Sequence, residues 1–230
     1  MNTKPELHVA FCVTESYMDF CAITLVSLCD NNPESSITAH LLTEDVTSES
    51  AALLEARCSR WGVKVCVYNV SQLIVPFAAI YRNDKFHIST NYRLYMADVL
   101  PLEIERVLYI DCDMIIRRSL RELYDTPFDG KALLVAPDNF LYQSSALPRK
   151  IQHMLREAYF NAGMLVINLT YWRKANISAR CLELYAAAPE DYPFPDQDLL
   201  NLILRDNVKY VSISYNCQTY LFRPKYYLQP

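Results

Sequence analysis

The sequence predicts an α/β domain built on a mainly parallel sheet, and three observations lead to this fold class. Strand-like and helix-like segments alternate over the first 70 residues, as in right-handed βαβ units. A short β-branched and aromatic run at residues 107–110 is typical of a buried strand. The chain of 230 residues is 52% hydrophobic and 21% charged, the composition of a globular protein with a sizeable core.

Seven short runs of apolar and β-branched residues are the predicted strands. Helical patterns separate most of them, and a helical crossover places consecutive strands parallel in one sheet. In chain order the strands are predicted at residues 8–13, 37–42, 64–70, 107–110, 132–136, 164–169 and 210–213.

Seven segments with helix-like length or spacing are the predicted helices. The second carries Ala51, Leu54 and Cys58 on one face, and Gly62 follows it as the residue that ends the helix. Residues 71–87 show no clear period and receive no predicted element. The helices are predicted at residues 18–29, 48–61, 90–100, 119–124, 150–158, 172–187 and 196–205.

Net charge and glycine content argue against several classes of function. The formal charge is −4, so the chain has no overall basic field and nucleic acid is not an expected partner. Only three glycines occur, which excludes both the Gly-x-Gly-x-x-Gly fingerprint and the Walker A loop. If the protein binds a diphosphate, a metal ion is therefore favoured over a glycine-rich loop.

Cysteine spacing and hydropathy indicate a reducing compartment. The eight cysteines contain no Cys-x-x-Cys pair, and several lie in apolar runs where a thiol packs as a small hydrophobe. No apolar run approaches the roughly 20 residues that a membrane-spanning helix needs. With no repeat or low-complexity linker, we expect a single cytoplasmic domain over residues 1–230 without a transmembrane segment.

An Asp-x-Asp motif follows the strand at residues 107–110. In an extended chain, Asp111 and Asp113 point to the same side, because side chains alternate with a period of two. Two neighbouring carboxylates suit Mg²⁺ or Mn²⁺, which proteins hold through one or two carboxylates and the phosphates of a substrate. A solvated turn after the strand is the alternative, since aspartate is common in turns.

Three segments follow one another in an informative order: VLYIDCDMII at 107–116, YFNAGMLVINLTYWR at 159–173 and PDQDLLN at 195–201. Together they resemble glycosyltransferase family 8, the retaining enzymes that include bacterial lipopolysaccharide galactosyl- and glucosyltransferases and, more distantly, glycogenin. The likeness runs from about residue 8 to residue 216. It implies a GT-A fold, in which a Rossmann-like sheet flanked by helices binds a UDP-sugar and the Asp-x-Asp motif holds Mn²⁺ or Mg²⁺ against the diphosphate.

The resemblance implies roles for residues on the nucleotide side of the site. Asp111 and Asp113 match the metal ligands. Thr14 and Tyr17 match the loop that holds the base, with Tyr17 stacked on uracil. Arg93 matches an arginine near the diphosphate and the donor sugar.

Further residues match the sugar side. His87 resembles part of a sugar-side motif, with a surface histidine as the alternative. Asn161 and Gly163 match the donor-sugar loop, although Asn161 also suits a turn. Asp196 and Gln197 match the pair that borders the anomeric carbon, although acidic residues at a helix start also act as caps.

Gln197 bears on the reaction mechanism. Glutamine is too poor a nucleophile for the double displacement that retaining hydrolases perform through a carboxylate. The match therefore favours front-face attack by the acceptor hydroxyl, with Asp196 holding sugar hydroxyls and Asp198 as the nearest carboxylate if a covalent intermediate exists. Asp138, which follows a strand, is a further candidate to face the acceptor.

The chain departs from the family at its end. Family members continue to a histidine that is a third metal ligand and to a Lys-Pro-Trp segment over the donor phosphates, and neither is present here. Either the natural protein continues beyond residue 230, or its metal site is open on one side. The tail at 220–230 has only Arg223 and Lys225 as cations, so we expect it to stay off membranes and any docking to require sequence absent here.

The resemblance implies transfer of galactose or glucose from a UDP-sugar to a saccharide or lipid-linked saccharide acceptor, with retention of the anomeric configuration. Lipopolysaccharide or another cell-surface glycan is the expected product. Two alternatives stay open: a non-catalytic nucleotide-sugar-binding protein and a metal-dependent sugar nucleotidyltransferase.

Overall fold

The computed structural model describes residues 4–138, 153 and 158–218. Within these residues the chain forms one seven-stranded sheet with a hydrophobic core on each face. The strands are β1 (Glu6–Cys12), β2 (Ser36–Thr43), β3 (Lys64–Asn69), β4 (Arg106–Ile110), β5 (Leu133–Pro137), β6 (Phe160–Asn168) and β7 (Val208–Tyr210). The α-helices are α1 (Met18–Asn31), α2 (Ser48–Arg57), α3 (Ser71–Ile80), α4 (Met96–Val99), α5 (Arg121–Asp125), α6 (Leu169–Lys174), α7 (Ile177–Ala187) and α8 (Pro195–Leu204).

The strands lie in the order β3-β2-β1-β4-β6-β5-β7. Strand β6 runs antiparallel to both β4 and β5, whereas the other four strand pairs are parallel. The sheet is therefore mainly parallel, as predicted. The carboxyl ends of β1, β2 and β4 meet at one edge, which is the edge where open α/β sheets bind ligands.

Alternating side chains of the sheet build the two cores. On β1, Leu7, Val9 and Phe11 pack into the core that includes buried residues of α1, α2 and α5. Ala10, from the same strand, packs into the core that includes residues of α3, α6, α7 and α8. Burial on both faces explains why the central strands are nearly continuous apolar runs in the sequence.

Most predicted elements lie within a few residues of their expected bounds. The helix predicted at 48–61 ends as an α-helix at Arg57, and a 3-10 turn extends it to Trp61 before Gly62 adopts φ 67°. The helix predicted at 172–187 is instead the pair α6 and α7, because Asn176 takes φ 50° between them. The helix predicted at 150–158 and the tail at 220–230 fall largely outside the described residues.

Three predictions were wrong in detail. Residues 71–80 form α3, whose sequence shows no period because SQLIVPFAAI is apolar on nearly every side, and Ile74 and Phe77 are its buried residues. The helix predicted at 90–100 begins as a 3-10 helix, Ile88–Tyr95, and becomes α-helical only in α4. The strand predicted at 210–213 is β7, and Ile213 instead begins a 3-10 turn.

All eight cysteines lie in the described part of the chain as free thiols. Five of them are buried, where a thiol packs as a small hydrophobe. No helix that the structure describes is both long and apolar enough to cross a bilayer.

Candidate active site

A cavity of about 860 Å³ opens where the parallel strands end. Its wall combines residues from the ends of β1, β2, β4 and β5 with residues from the start of β6 and of α8. Eleven of the twelve candidate residues named from the sequence line this cavity: Thr14, Tyr17, His87, Arg93, Asp111, Asp113, Asp138, Asn161, Gly163, Asp196 and Gln197. The structure therefore brings the nucleotide-side and sugar-side residues to one place.

The Asp111 carboxylate is anchored through one of its two oxygens. Arg93 Nη2 donates to Asp111 Oδ1 at 3.0 Å, and the Tyr109 hydroxyl donates to the same oxygen at 2.5 Å. The Arg93 guanidinium also lies over the Tyr109 ring, 4.4 Å from its centroid. Burial raises the pKa of Asp111, while the Arg93 guanidinium opposes that shift. Burial destabilises the charged carboxylate, and a nearby cation offsets part of that cost.

Arg93 is the buried cation that holds the site together. Its guanidinium donates to the carbonyl oxygens of Thr90 at 2.8 Å and Ala162 at 2.6 Å. Its Nε atom lies 3.1 Å from Asp196 Oδ2, in addition to the contact with Asp111. Burial alone would lower the pKa of Arg93, but the two carboxylates outweigh it and raise that pKa. The guanidinium therefore stays charged and fixes both carboxylates.

Amide hydrogen bonds link the sugar-side residues to one another. Asp138 Oδ2 accepts from Asn161 Nδ2 at 3.0 Å and from Gln197 Nε2 at 3.1 Å. Gln197 Oε1 accepts from the backbone amide of Ala162 at 2.9 Å. Asn216 Nδ2 donates to Asn161 Oδ1 at 2.7 Å. We call Asp138, Asn161, Gln197 and Asn216 the amide network; it holds polar side chains in defined orientations at the cavity wall.

Gly163 allows the two sides of the site to approach each other. A Cβ atom at this position would lie 2.8 Å from Asp111 Oδ2 and 2.9 Å from Asn161 Oδ1. The Gly163 amide also donates to Asn161 Oδ1 at 2.9 Å. A larger residue would therefore displace either the candidate metal ligand or the amide network.

The structure corrects the prediction that Asp198 offers a carboxylate to the substrate. The side chain is fully buried, and Asp198 is not among the residues that line the cavity. The Tyr159 hydroxyl donates to Oδ1, and the backbone amide of Phe194 donates to Oδ2 at 2.9 Å. Burial raises the pKa of Asp198 to about 7. Both oxygens are thus used to hold the start of α8 in place.

The residues predicted to hold the base line the cavity from the loop after β1. Thr14 and Tyr17 lie on this loop, and Tyr17 is 51% exposed. Asp45, from the loop after β2, accepts from the Glu15 amide at 3.1 Å and so connects the two loops. The exposed Tyr17 ring offers an aromatic surface to a planar ligand.

His87 lines the cavity from an exposed position at the start of the 3-10 helix Ile88–Tyr95. Its Nδ1 atom accepts from the Ser89 amide at 3.2 Å, so the side chain caps this helix. This capping role explains the position of His87 even if the residue contacts no ligand. A role toward the sugar stays a prediction.

Asp111 and Asp113 are the residues that could hold a divalent cation. Both line the cavity, Asp113 is exposed, and Oδ2 of Asp111 faces the space left by Gly163. Among the described residues, no group of three or more His, Cys, Asp or Glu side chains is arranged as a metal site. The donors present are hard oxygens, which suit Mg²⁺ or Mn²⁺ that keeps phosphate and water ligands. The two carboxylates therefore fit an open metal site.

Three functional positions are clearer in the structure than in the sequence. Tyr109 was assigned only to a strand, although its spacing of two from Asp111 already placed both side chains on one side. Asp138 was predicted only to face an acceptor, whereas it orients two amides of the site. Asn216 has no local signal, because its contact with Asn161 spans 55 residues of sequence.

Known proteins resemble this chain in sequence. Residues 8–230 match the family described as Glycosyl transferase family 8. Lipopolysaccharide 1,2-glucosyltransferase of Escherichia coli is 26% identical over 219 residues, which cover 94% of this chain and 64% of the relative. Lipopolysaccharide 1,3-galactosyltransferase of Salmonella typhimurium is 25% identical over 217 residues, which cover 93% and 64%. The chain thus spans less than two thirds of the length of these curated relatives.

Solved structures resemble it in fold. The crystal structure of the galactosyltransferase LgtC in complex with donor and acceptor sugar analogues matches with a TM-score of 0.80 at 24% identity. The match covers 97% of this chain and 84% of LgtC. It confirms the GT-A-type α/β fold that the sequence predicts. With the family matched from residue 8 to residue 230, the chain belongs to glycosyl transferase family 8.

Proposed function

We propose that the protein is a retaining glycosyltransferase that moves galactose or glucose from a UDP-sugar to a saccharide acceptor. One observation carries the proposal: two carboxylates suited to a divalent ion and the carboxamides of Asn161 and Gln197, suited to sugar hydroxyls, line the same cavity. A nucleotide sugar carries both a diphosphate and a hexose, so its binding site needs a metal-binding side and a hydroxyl-binding side. The family and the lipopolysaccharide transferases among its relatives support the reaction class.

The nucleotide side of the cavity would stabilise the leaving group. Hexose transfer leaves a nucleoside diphosphate, so negative charge increases on the phosphate oxygens. Asp111 and Asp113 would hold Mn²⁺ or Mg²⁺, which would supply Lewis-acid stabilisation of that charge when bound. Arg93 keeps Asp111 in place from its buried position, which supports a positioning role more than direct contact with the diphosphate.

The amide network would orient the hexose. Asn161 and Gln197 are each fixed by Asp138, so their side chains do not have to be ordered when a sugar binds. Asp196 is fixed in the same way by Arg93. Groups that are ordered in advance reduce the entropy cost of aligning a substrate for reaction.

The surroundings of Gln197 favour front-face attack. Gln197 lines the cavity, but a carboxamide is a poor nucleophile. The adjacent carboxylates are engaged elsewhere, because Asp196 pairs with Arg93 and Asp198 is buried against Tyr159. Attack by the acceptor hydroxyl on the face from which the diphosphate leaves gives retention without a covalent intermediate.

The identities of donor base and acceptor are also proposed. The exposed ring of Tyr17 beside Thr14 supports stacking of uracil at that end of the cavity. The relatives named as lipopolysaccharide transferases support a saccharide of a cell-surface glycan, free or lipid-linked, as the acceptor.

Calorimetry followed by a turnover assay tests the proposal. UDP is titrated with and without Mn²⁺, and UDP-glucose and UDP-galactose are then incubated with a panel of saccharide acceptors. We expect metal-dependent UDP binding and transfer of a single hexose. Binding with no transfer or hydrolysis from any donor would identify a non-catalytic binder, a candidate favoured because no group of three or more His, Cys, Asp or Glu side chains among the described residues is arranged as a metal site. Pyrophosphate release from UTP in the presence of a hexose 1-phosphate, with formation of the UDP-hexose, would identify a sugar nucleotidyltransferase.

A further inference from the structure

Gln218 brings an unpaired amide to the cavity wall. Its Nε2 atom is buried and makes no hydrogen bond in the described part of the chain. Four buried side-chain atoms there lack a partner, and only that of Gln218 belongs to a residue that lines the cavity. A buried donor without an acceptor costs free energy, and native proteins satisfy nearly all such groups. The position of Gln218 therefore indicates that a ligand in the cavity supplies the hydrogen-bond acceptor that its Nε2 atom lacks.

The local backbone directs Gln218 toward the amide network. Asn216, two residues earlier, is buried and donates to Asn161 Oδ1 at 2.7 Å. Cys217, between them, is exposed. Side chains at 216–218 therefore alternate between the site and solvent, as in an extended chain. Gln218 therefore lies on the same side of the chain as Asn216, which bonds Asn161, and it lines the same cavity as Asn161 and Gln197.

We propose that Gln218 hydrogen-bonds a hydroxyl group of the hexose that is transferred, an assignment that rests on the proposed function above. A carboxamide can donate and accept, and so can a sugar hydroxyl, so the pair is satisfied in either orientation. The amides of Asn161 and Gln197 are already bonded to Asp138, whereas the amide of Gln218 keeps its donor for the ligand. Gln218 would thus recognise the sugar and not the nucleotide.

Calorimetry in the presence of Mn²⁺ and without acceptor tests the assignment. The Kd values of UDP, UDP-glucose and UDP-galactose are measured for the wild type and for Gln218→Met, which keeps the side-chain length but cannot form the hydrogen bond. We expect the variant to bind the preferred UDP-hexose about tenfold more weakly, equivalent to about 1.4 kcal/mol. Its affinity for UDP and its Tm should match the wild type, because the Nε2 atom of Gln218 has no hydrogen bond to lose among the described residues.

Cys217→Ser is the matched control, since Cys217 is the exposed neighbour and does not line the cavity. It should leave every Kd unchanged. Equal UDP-hexose affinities for the wild type and Gln218→Met would overturn the assignment and leave the proposed function standing. An equal loss for UDP and UDP-hexose would also overturn it. Failure of the wild type to bind any of the ligands would count against the proposed function itself. If Gln218→Met does not fold, Gln218→Ala replaces it in the same comparison.

Discussion

Asp113 is the exposed member of the candidate metal pair, so its substitution tests the pair with little effect on the fold. Asn keeps the size of the side chain but removes a charge and a hard anionic ligand. We predict that Asp113→Asn reduces the Mn²⁺-dependent gain in UDP affinity at least tenfold, which is roughly the effect of losing even an outer-shell partner of a metal. Tm should be unchanged. UDP binding with wild-type metal dependence would show that Asp113 is not a ligand.

Gly163 tests the close approach between the metal side and the sugar side. In Gly163→Ala, the new Cβ would lie within 3 Å of Asp111 Oδ2 and Asn161 Oδ1, so both groups must move. Overpacking of this kind typically costs about 1–3 kcal/mol. We predict a lower free energy of unfolding in urea and a loss of metal-dependent UDP affinity.

The matched control is Gly130→Ala. Gly130 has φ 79° and no atom within 4 Å of an added Cβ, so alanine strains the backbone there without touching the site. It should lower stability by about 1 kcal/mol and leave UDP affinity unchanged. If both variants bound UDP and Mn²⁺ like the wild type, the contact at Gly163 would be irrelevant to the site.

At the scale of elements, strands β1, β2 and β3 carry a partly buried polar chain that the proposed reaction does not use. His8 Nδ1 lies 3.0 Å from His40 Nε2, and His40 Nδ1 lies 3.0 Å from the Tyr68 hydroxyl. His40 is almost fully buried. Burial lowers the pKa of His40 to about 4, with His8 and Lys64 acting in the same direction.

This shift predicts acid sensitivity. The folded-state pKa of His40 lies below the unfolded value of about 6.5, so the unfolded chain binds the proton first as the pH falls. The contribution of His40 to the free energy of unfolding is therefore fully present above about pH 7, where the residue is neutral in the folded and the unfolded chain. It is lost as the pH falls from about 6.5 to about 4, because the unfolded chain then binds a proton that the folded chain does not. We predict that the free energy of unfolding in urea falls by about 2 kcal/mol from pH 7 to pH 5 through this residue.

The control for that prediction is His40→Asn, which retains polar atoms but does not titrate. The variant should be less stable at pH 7, because the contacts with His8 and Tyr68 are perturbed, and its stability should depend less on pH. A wild-type pH dependence in the variant would show that His40 does not control acid sensitivity.

The predicted and observed elements together show which parts of the fold can be predicted from the sequence. Strands β1, β2, β4 and β6 were found because each is a mainly apolar run that is largely buried on both faces of the sheet. Helix α3 was missed because it is apolar on nearly every side, so hydrophobic periodicity carried no signal. The 3-10 helix Ile88–Tyr95 was taken for part of an α-helix, since burial of Asn91, Tyr92 and Arg93 together follows from tertiary contacts and not from a 3.6-residue period.

At the scale of the whole molecule, site residues could be predicted when they stand in a recognisable sequence motif. Residues that only the folded chain brings to the site could not. Asp111, Asp113 and Gln197 stand in recognisable segments, and the structure places them at one cavity. Gln218 lines the same cavity, and Asn216 bonds Asn161 at its wall, only because the chain after β7 returns to it. Asp198 shows the opposite case: it lies in the motif, yet the geometry of α8 turns it away from the cavity.

The stereochemistry of transfer tests the central claim most directly. Proton NMR spectra recorded early in the reaction of the wild-type protein with UDP-galactose or UDP-glucose, Mn²⁺ and a saccharide acceptor report the anomeric configuration of the new linkage. Since the donor hexose is α-linked to the diphosphate, the account predicts an α-linked product that forms only with metal and is strongly reduced in Asp113→Asn. A β-linked product, or transfer at the wild-type rate in Asp113→Asn, would contradict it.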